Sequence, residues 1–527
     1  MGKLSAIWAA LKGGKSPSVP TSNSIVRNSI VRARYDNQFT TDENQMHWKM
    51  ADAMSVDAGA SWQVRRKLRM NSRYEYHNNG FYQNLVGNLA NYTIGSGARL
   101  QMTTGDAAVD HTIEALFTEW SKEINLPQTM LNDRAASVYN GEAFQLIRSN
   151  PGLEHPVKMD VFEIECDQVS SPLFGMYPSR YPDQFFDGVV LDPWGRPQTY
   201  HVLRQHPGAF GAFVILGYEF DPWPARYVLH SYKRIRPGQQ RGIPETISIL
   251  ENFAQLRRYR KAVLGAAETA ANHEISIESM AAADDTTPVG TPWETVEFES
   301  GMGTVLPWGY RATQLKPEQP TTNFDMFCDS LLSEIAASLQ VPLFFLTLDA
   351  RKANMSSSYV VTQPMAKAIN TDRELRYTPK MERIFREFAA EMKLVPTEEI
   401  QAYLNSRGYD IKVPANFRET SLSHAWHWPH INTHADPQKT ANAAETRIAS
   451  GVSSPHHECA AEGRNYEEIE AANAASYGIS VEEYRAARRA RDFAVATAGT
   501  TDGKPKGDDE ADDAPEPAKV SEGSDDE

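Results

Sequence analysis

The residues whose types and spacing could do chemistry crowd into one stretch. Positions 424–459 read HAWHWPHINTHADPQKTANAAETRIASGVSSPHHEC and hold six of the chain's fourteen histidines together with Cys459. Imidazole and thiolate are ordinary zinc ligands, and three of them around an open position make a metal-dependent hydrolase. The spacing speaks against that use. His430 and His434 are four apart, but Pro429 precedes them and the next helix is predicted to start only at Asp436, so they share no helical face. His456 and His457 are adjacent in a first helical turn and point in different directions. No H-E-x-x-H arrangement is present. We therefore read these as surface or packing histidines and expect no metal.

Other chemistry is no better supported. Gly95-Ser96-Gly97 lacks the G-x-G-x-x-G spacing, and Gly14-Lys15-Ser16 lacks the upstream P-loop glycine, which is Ala9 here. There is no G-x-S-x-G elbow. The cysteines Cys166, Cys328 and Cys459 are far apart and odd in number, so a disulfide framework is not expected and a reducing cytoplasm is. No catalytic residue and no cofactor are implied.

The elements that must position these residues follow from pattern. At 527 residues, with 41% hydrophobic and 23% charged content, the chain can bury substantial cores. No apolar run approaches the ~18 residues of a membrane span. Leu4, Ile7, Trp8 and Leu11 have helical spacing, but the apolar part is too short for a signal peptide. Residues 13–60 are polar and broken by glycine and proline. Helical periodicity runs from Trp62 to about Trp120, interrupted by a glycine turn at Ile94–Leu100. Residues 135–235 carry the short β-rich runs EAFQLIR, VKMDVFEIE, FDGVVLD and YHVLR, which makes this an α+β region.

A long helix is predicted from Pro244 to about Asn272, roughly 43 Å at ~1.5 Å per residue. Strand-like HEISIES and WETVEFES and the hairpin GMGTVLPWGY follow, and then a second helix at 323–340. Two helices thus flank a β tip. After a polar interruption at 346–360, a helix from about Ser356 to Leu394 should kink at Pro364. Four short helices are marked by Asp436-Pro437, Ser454-Pro455, the box-like Asn465/Glu468 and the capping box Ser480/Glu483, with Gly451 and Gly478 as stops.

Charge is uneven. Positions 501–527 carry eleven acidic and three basic side chains, −8 of the chain's net −15, and should be disordered. Positions 1–73 carry twelve Lys/Arg against five Asp/Glu. A protein that grips DNA statically shows a dominant basic face, and this one taken whole does not.

Several stretches, in order, resemble the lambda-like family of phage portal proteins. They are 65–101 (RRKLRMNSRYEYHNNGFYQNLVGNLANYTIGSGARLQ), YNGEAF at 139–144, DGVVLDPWGRPQTYHVL at 187–203 and HSYKRIRPGQQRGIP at 230–244. SLLSEIAASLQVP at 330–342 with ARKANMSSSY at 350–359, and the W-P-x6-D-P-x-K pattern from Trp428 to Lys439, complete the series. The most recognisable is R-P-G-Q-x-R-G, here Arg236, Pro237, Gly238, Gln239, Arg241 and Gly242.

The resemblance implies the portal fold, in ring form. It has an N-terminal arm (1–59), a wing (60–243 and 358–396), a two-helix stem (244–272 and 323–340) and a β-containing clip (273–322). A tunnel loop (346–357), a helical crown (397–495) and an acidic tail (496–527) complete it. It implies a ring, commonly of about twelve subunits, around a channel for double-stranded DNA without sequence preference. The implied partners are the terminase large subunit, the major capsid and scaffolding proteins and a head-completion connector, in a virion assembled in the host cytoplasm and with no membrane. The candidate channel residues are Arg351, Lys352 and Asn354 in the tunnel loop. Arg257, Arg258, Arg260 and Lys261 on the first stem helix encircle much of it, facing the channel or a neighbouring subunit. The rivals are a hydrolase using the 424–457 histidines and a capsid-associated scaffolding or protease protein, neither of which accounts for R-P-G-Q-x-R-G before a long helix.

Overall fold

The computed structural model describes residues 51–170, 185–209, 220–272, 275–279, 310–314, 324–349, 351, 355–431, 437–462, 464 and 466–498. The chain divides into two compact units, Met1–Ser55 and Val56–Glu527, and the elements below belong to the second.

After a single helical turn at Val56–Gly59 come helices α1 (Trp62–Asn78) and α2 (Gly80–Ile94), then β1 (Arg99–Met102), α3 (Ala107–Glu123) and α4 (Leu126–Tyr139). Asn79 ends the first helix and caps the second, its side chain accepting from Phe81 N–H at 3.1 Å. Asp106 caps α3 in the same way through Ala108 N–H at 3.1 Å. The predicted helical stretch is thus realised, but Arg99 and Leu100, read as part of the glycine turn, lie in a strand. Helix α4 has no apolar stripe, and the sequence reading did not anticipate it.

The β-rich region follows with β2 (Glu142–Ser149), β3 (Met159–Ile164), β4 (Phe185–Phe186), β5 (Val189–Leu191), β6 (Pro197–Leu203), β7 (Phe220–Pro224) and β8 (Val228–Tyr232). The four predicted runs fall on β2, β3, β4–β5 and β6. Two antiparallel sheets result, ordered β3-β2-β8 and β4-β5-β6-β7. Strand β2 is central and its first six residues are buried on both faces, so its sequence does not alternate.

Next come α5 (Leu250–Asn272), β9 (Ile275–Ser279), β10 (Tyr310–Gln314), α6 (Phe324–Ser338), α7 (Leu343–Thr347), α8 (Met355–Asp372) and α9 (Thr378–Met392). Strands β9 and β10 pair antiparallel between α5 and α6, while WETVEFES and most of the predicted hairpin lie outside the described residues. Three boundaries correct the expectation. Helix α5 starts at Leu250 after a 3-10 turn at Ile247–Ile249, not at Pro244. Glu245 N–H is donated to Val138 O at 3.1 Å, so tertiary contacts hold this backbone out of the helix. The 346–357 loop is shortened at both ends, because Thr347 is helical and α8 begins at Met355. The long helix is divided by a π-turn at Arg373–Tyr377 into α8, which contains Pro364, and α9.

The remainder is α10 (Thr397–Ser406), β11 (His424–His427), α11 (Pro437–Ala449), α12 (Pro455–Ala461), α13 (Tyr466–Tyr477) and α14 (Val481–Ala498). The capping box at Ser480 forms as written, with Ser480 N–H donating to Glu483 at 3.0 Å and Glu483 N–H to Ser480 Oγ at 3.2 Å. Asp436 and Asn465 lie outside the described residues. Strand β11, unanticipated, pairs antiparallel with β1.

Three apolar clusters hold these elements. The first gathers α3, α4, α9 and α10 around Trp120, Phe117, Phe385 and Phe388, and Trp120 Nε1–H donates to Met159 O at 2.7 Å. The second packs α2, α5, α6 and α8 around Tyr82, Phe253 and Ile335. The third lies between the two sheets, with Phe144, Val189 and Tyr200. Each fully buried aromatic or aliphatic side chain contributes about 1.5–3 kcal/mol. No described helix is long and apolar enough to cross a membrane.

Candidate functional site

The segment Arg236–Gly242 leads directly into the basic helix α5. Gly238 turns the chain with φ +82°, a conformation that favours glycine. Gln239 is buried and pins the turn: its Nε2–H donates to Arg241 O at 2.8 Å and its Oε1 accepts from Ile235 N–H at 2.8 Å. Gly242 then passes against Gly141, the glycine of YNGEAF. A Cβ on Gly242 would sit 2.1 Å from Gly141 O, and one on Gly141 would sit 2.1 Å from Ile243 C. The two motifs therefore meet backbone to backbone, where only glycine fits.

That approach delivers Arg241 to Glu142, both fully buried. The guanidinium is bidentate, with Nη2 to Oε1 at 2.6 Å and Nε to Oε2 at 2.9 Å. Its Nη1–H also donates to Val169 O at 3.0 Å and pairs with Asp187 at 3.2 Å. Glu142 further accepts from Gly242 N–H at 2.9 Å, His230 Nε2 at 3.1 Å and Arg69 Nη1 at 3.2 Å. Arg65 closes the group by pairing with Asp187. Burial alone would raise the pKa of Glu142, but Arg241, His230 and Arg69 outweigh it and hold the carboxylate well below its ordinary range. Four stretches that resembled the portal family thus converge on one buried ion network.

A second network sits where α5 is about to begin. Glu245 receives Arg134 at 2.7 Å and Arg376 at 3.0 Å, and Arg134 also reaches Asp372 at 3.3 Å. Against the opposing effect of burial, the two guanidiniums bring the Glu245 carboxyl down to about 2. In the π-turn, Arg373 donates to the carbonyls of Thr93, Tyr92 and Pro429 at 2.8–2.9 Å. Burial without a carboxylate partner brings Arg373 down to about 10. Lys380 pairs with buried Asp133. Sequence reasoning missed all of these residues. For Glu142 of the first network the available signal was a carboxylate at the head of the apolar run EAFQLIR.

The basic cluster on α5 is split by its surroundings. Arg257 pairs with Glu75 at 2.8 Å and lies over Tyr74 at 4.9 Å. Arg260 is exposed above Phe81, 5.8 Å from the ring centre. Arg258 and Lys261 are exposed. Arg257, Arg260 and Lys261 line a cleft of about 840 Å³ together with buried Leu256 and exposed Leu264 and Leu348. Arg351 is 87% exposed and pairs with Asp349 at 2.6 Å, while Lys352 and Asn354 lie outside the described residues.

Of the opening histidines, His427, His456 and His457 are brought near one another, with His427 and His457 ring centres 5.4 Å apart, while the others described stand apart. His424 binds Leu422 O at 2.6 Å and Glu382 at 3.0 Å. His427 Nε2–H donates to Gln101 Oε1 at 2.6 Å. His430 is exposed, and His434 is outside the described residues. Among the described residues the one group with metal-ligand proximity is Glu165, Asp167 and His206. Arg73 stands 2.5 Å from Asp167 and 3.5 Å from Glu165, so a guanidinium already occupies the cation's place.

A family model described as "Phage portal protein, lambda family" matches residues 42–373. No curated protein matches the chain. Among solved structures, the neck of an empty gene transfer agent (GTA) particle computed with C6 symmetry is 13% identical, with a TM-score of 0.42 over 76% of this chain and 94% of the other. The neck of a native GTA particle computed with C12 symmetry is 12% identical, with a TM-score of 0.40 over 77% and 94%. An HK97-family phage portal protein from Corynebacterium diphtheriae is 14% identical, with a TM-score of 0.24 over 48% and 72%.

Proposed function

The chain belongs to the lambda family of phage portal proteins, and from that premise we propose that it forms the ring through which double-stranded DNA enters and leaves a phage head. The family match over 42–373 carries this reading. On this reading the stem would be α5 and α6, the clip the segment bearing β9 and β10, and the wing the sheets with α1–α4 and α8–α9. The crown would be the helices from α10 to α14, and the tunnel loop the turn between α7 and α8. Copies would close head to tail through a heterologous interface, about twelve to a ring. The terminase, capsid and scaffolding proteins and a connector are the partners this role requires, and the finished ring would reside in the virion.

Such a conduit must let a polyanion slide without sequence preference. Every lysine or arginine bound to phosphate releases counterions and holds the DNA in place, so a channel needs few of them. Exposed Arg258, Arg260, Lys261 and Arg351 are the described candidates for phosphate binding, with Lys352 and Asn354 beside them in sequence. Arg257 is not one of them, because its side chain is mostly covered and is held by buried Glu75. The buried arginines, Arg241 included, are a scaffold that fixes the base of α5 rather than a DNA surface. The histidine-hydrolase alternative finds no support, since His424 and His427 are bonded to Glu382 and Gln101.

Native mass spectrometry with negative-stain averages, with and without chelator, tests the proposal. A ring of about twelve with a central hole, unchanged by chelator, is expected. A monomer or dimer that loses bound metal would overturn it.

A further inference from the structure

Helices α5 and α6 lie against each other through Tyr259, which stacks on Phe324 with ring centres 5.5 Å apart and meets Phe327 edge-on at 4.9 Å. The pair presents two unlike surfaces. On α5, Arg260, Leu264 and Ala267 follow at helical spacing along the cleft of about 840 Å³, which Phe81, Phe324 and Leu348 also line. This hollow is apolar with a basic edge. Leu264 is 59% exposed and Leu348 74%. Arg260 lies over Phe81, 5.8 Å from the ring centre, and among the described residues no carboxylate pairs with it.

The other surface belongs to α6. Met326, Ser330, Ser333 and Ala337 recur three and four apart, with Phe327 and Glu334 beside them, and all six are exposed. Met326 is 70% exposed. The opposite side of the same helix, Leu332, Ile335 and Ala336, is buried in the second apolar cluster. Among the described residues no cation pairs with Glu334. This face is therefore an apolar projection, followed by small side chains and a carboxylate about 12 Å further along the helix at ~1.5 Å per residue.

We propose that the α6 face of one copy seats in the α5 cleft of the next, with Met326 and Phe327 against Leu264 and Leu348 and Glu334 toward the basic edge. Scattered single apolar side chains on a surface need no partner, but a hollow and a projection on two sides of one helix pair are a complementary set. Methionine and aromatic side chains are also what protein interfaces concentrate at their centres. Because the two surfaces differ and both belong to every copy, the contact repeats head to tail instead of closing as a symmetric dimer. The inference rests on the ring reading above and gives that ring its contact. Arg260 then faces a neighbouring copy, while Arg258, which does not line the cleft, is left for phosphate.

Two variants of the full-length protein test this, Leu264→Asp and Met326→Asp. Both positions are exposed, and the second lies in the first turn of α6, where a carboxylate suits the helix dipole. Circular dichroism and melting should match the parent. Native mass spectrometry should show each variant as a monomer at a concentration where the parent assembles. Mixed together, the two should form one-to-one dimers and no ring, because the first keeps an intact α6 face and the second an intact cleft. A ring formed by either variant alone, or a mixture that stays monomeric, overturns the proposal while leaving the portal reading in place, and frees the cleft for another partner. A parent that forms no ring overturns both.

Discussion

Arg241 and Glu142, ninety-nine residues apart in sequence, form a bidentate ion pair with Nη2 and Oε1 2.6 Å apart and no exposed side-chain surface on either partner. The pair joins the glycine turn before the basic helix to the central strand of a sheet. It makes the direction in which α5 leaves the body a consequence of buried electrostatics.

Removing one partner should be costly, because the other is left as an uncompensated buried charge. Arg241→Met is expected to destabilise by about 3–5 kcal/mol. Replacing both with apolar residues should cost much less than the sum of the single changes. Denaturant unfolding of both single variants and the double variant measures this directly, and additive losses would contradict it.

The same network predicts acid sensitivity. Glu142 and Glu245 have folded pKa values below their unfolded ones, Glu245 at about 2. Their contribution is complete above the ordinary carboxylate range, near pH ~4.3, and disappears as pH falls toward ~2. Glu245→Gln should flatten the stability curve in that window and lower stability at neutral pH.

His155 predicts a second pH window. Burial brings its pKa down to about 4, so folding favours the neutral ring. Stability from this group is present above pH ~6.5 and falls as the solution is acidified toward pH ~4, by up to roughly 3 kcal/mol. Melting temperatures of His155→Gln across that range should show a shallower decline than those of the parent.

Glycine substitutions should rank by space, not by φ alone. Gly141 (φ +88°) and Gly238 (φ +82°) share a left-handed backbone, yet a Cβ on Gly141 meets Ile243 backbone at 2.1 Å while one on Gly238 meets nothing within 4 Å. Gly238→Ala should cost about 1–2 kcal/mol. Gly141→Ala should cost several times that and lower soluble yield. Equal losses in thermal unfolding would refute the close-approach argument.

Charge removal on α5 should separate two roles. Arg258→Ala or Lys261→Ala should leave stability within about 0.5 kcal/mol, and should make DNA association less salt-dependent by about one unit of slope for each phosphate no longer bound. Arg257→Ala should instead lower stability, because it strands buried Glu75. Melting curves beside salt-titrated DNA binding distinguish them.

Local signals in the sequence were sufficient for elements whose causes are local. The Ser480/Glu483 box, Pro455 at a first turn, Gly451 and Gly478 in left-handed conformation, and the apolar runs of β2, β3 and β6 each act over a few residues. The family resemblance was legible for the same reason, as ordered short motifs.

What the motifs are for was decided by tertiary structure. Helix α5 begins six residues later than its proline suggests, because Glu245 is held by Arg134 and Arg376 from distant helices. Strand β11 exists because β1, more than three hundred residues earlier, supplies its hydrogen bonds. Histidines from α3, β11 and α12 share one cavity only after folding. Hydrogen-bond caps and apolar periodicity are short-range and can be read along the chain. Ion pairs between buried charges depend on which segments meet, and that is fixed by the closing of the whole core.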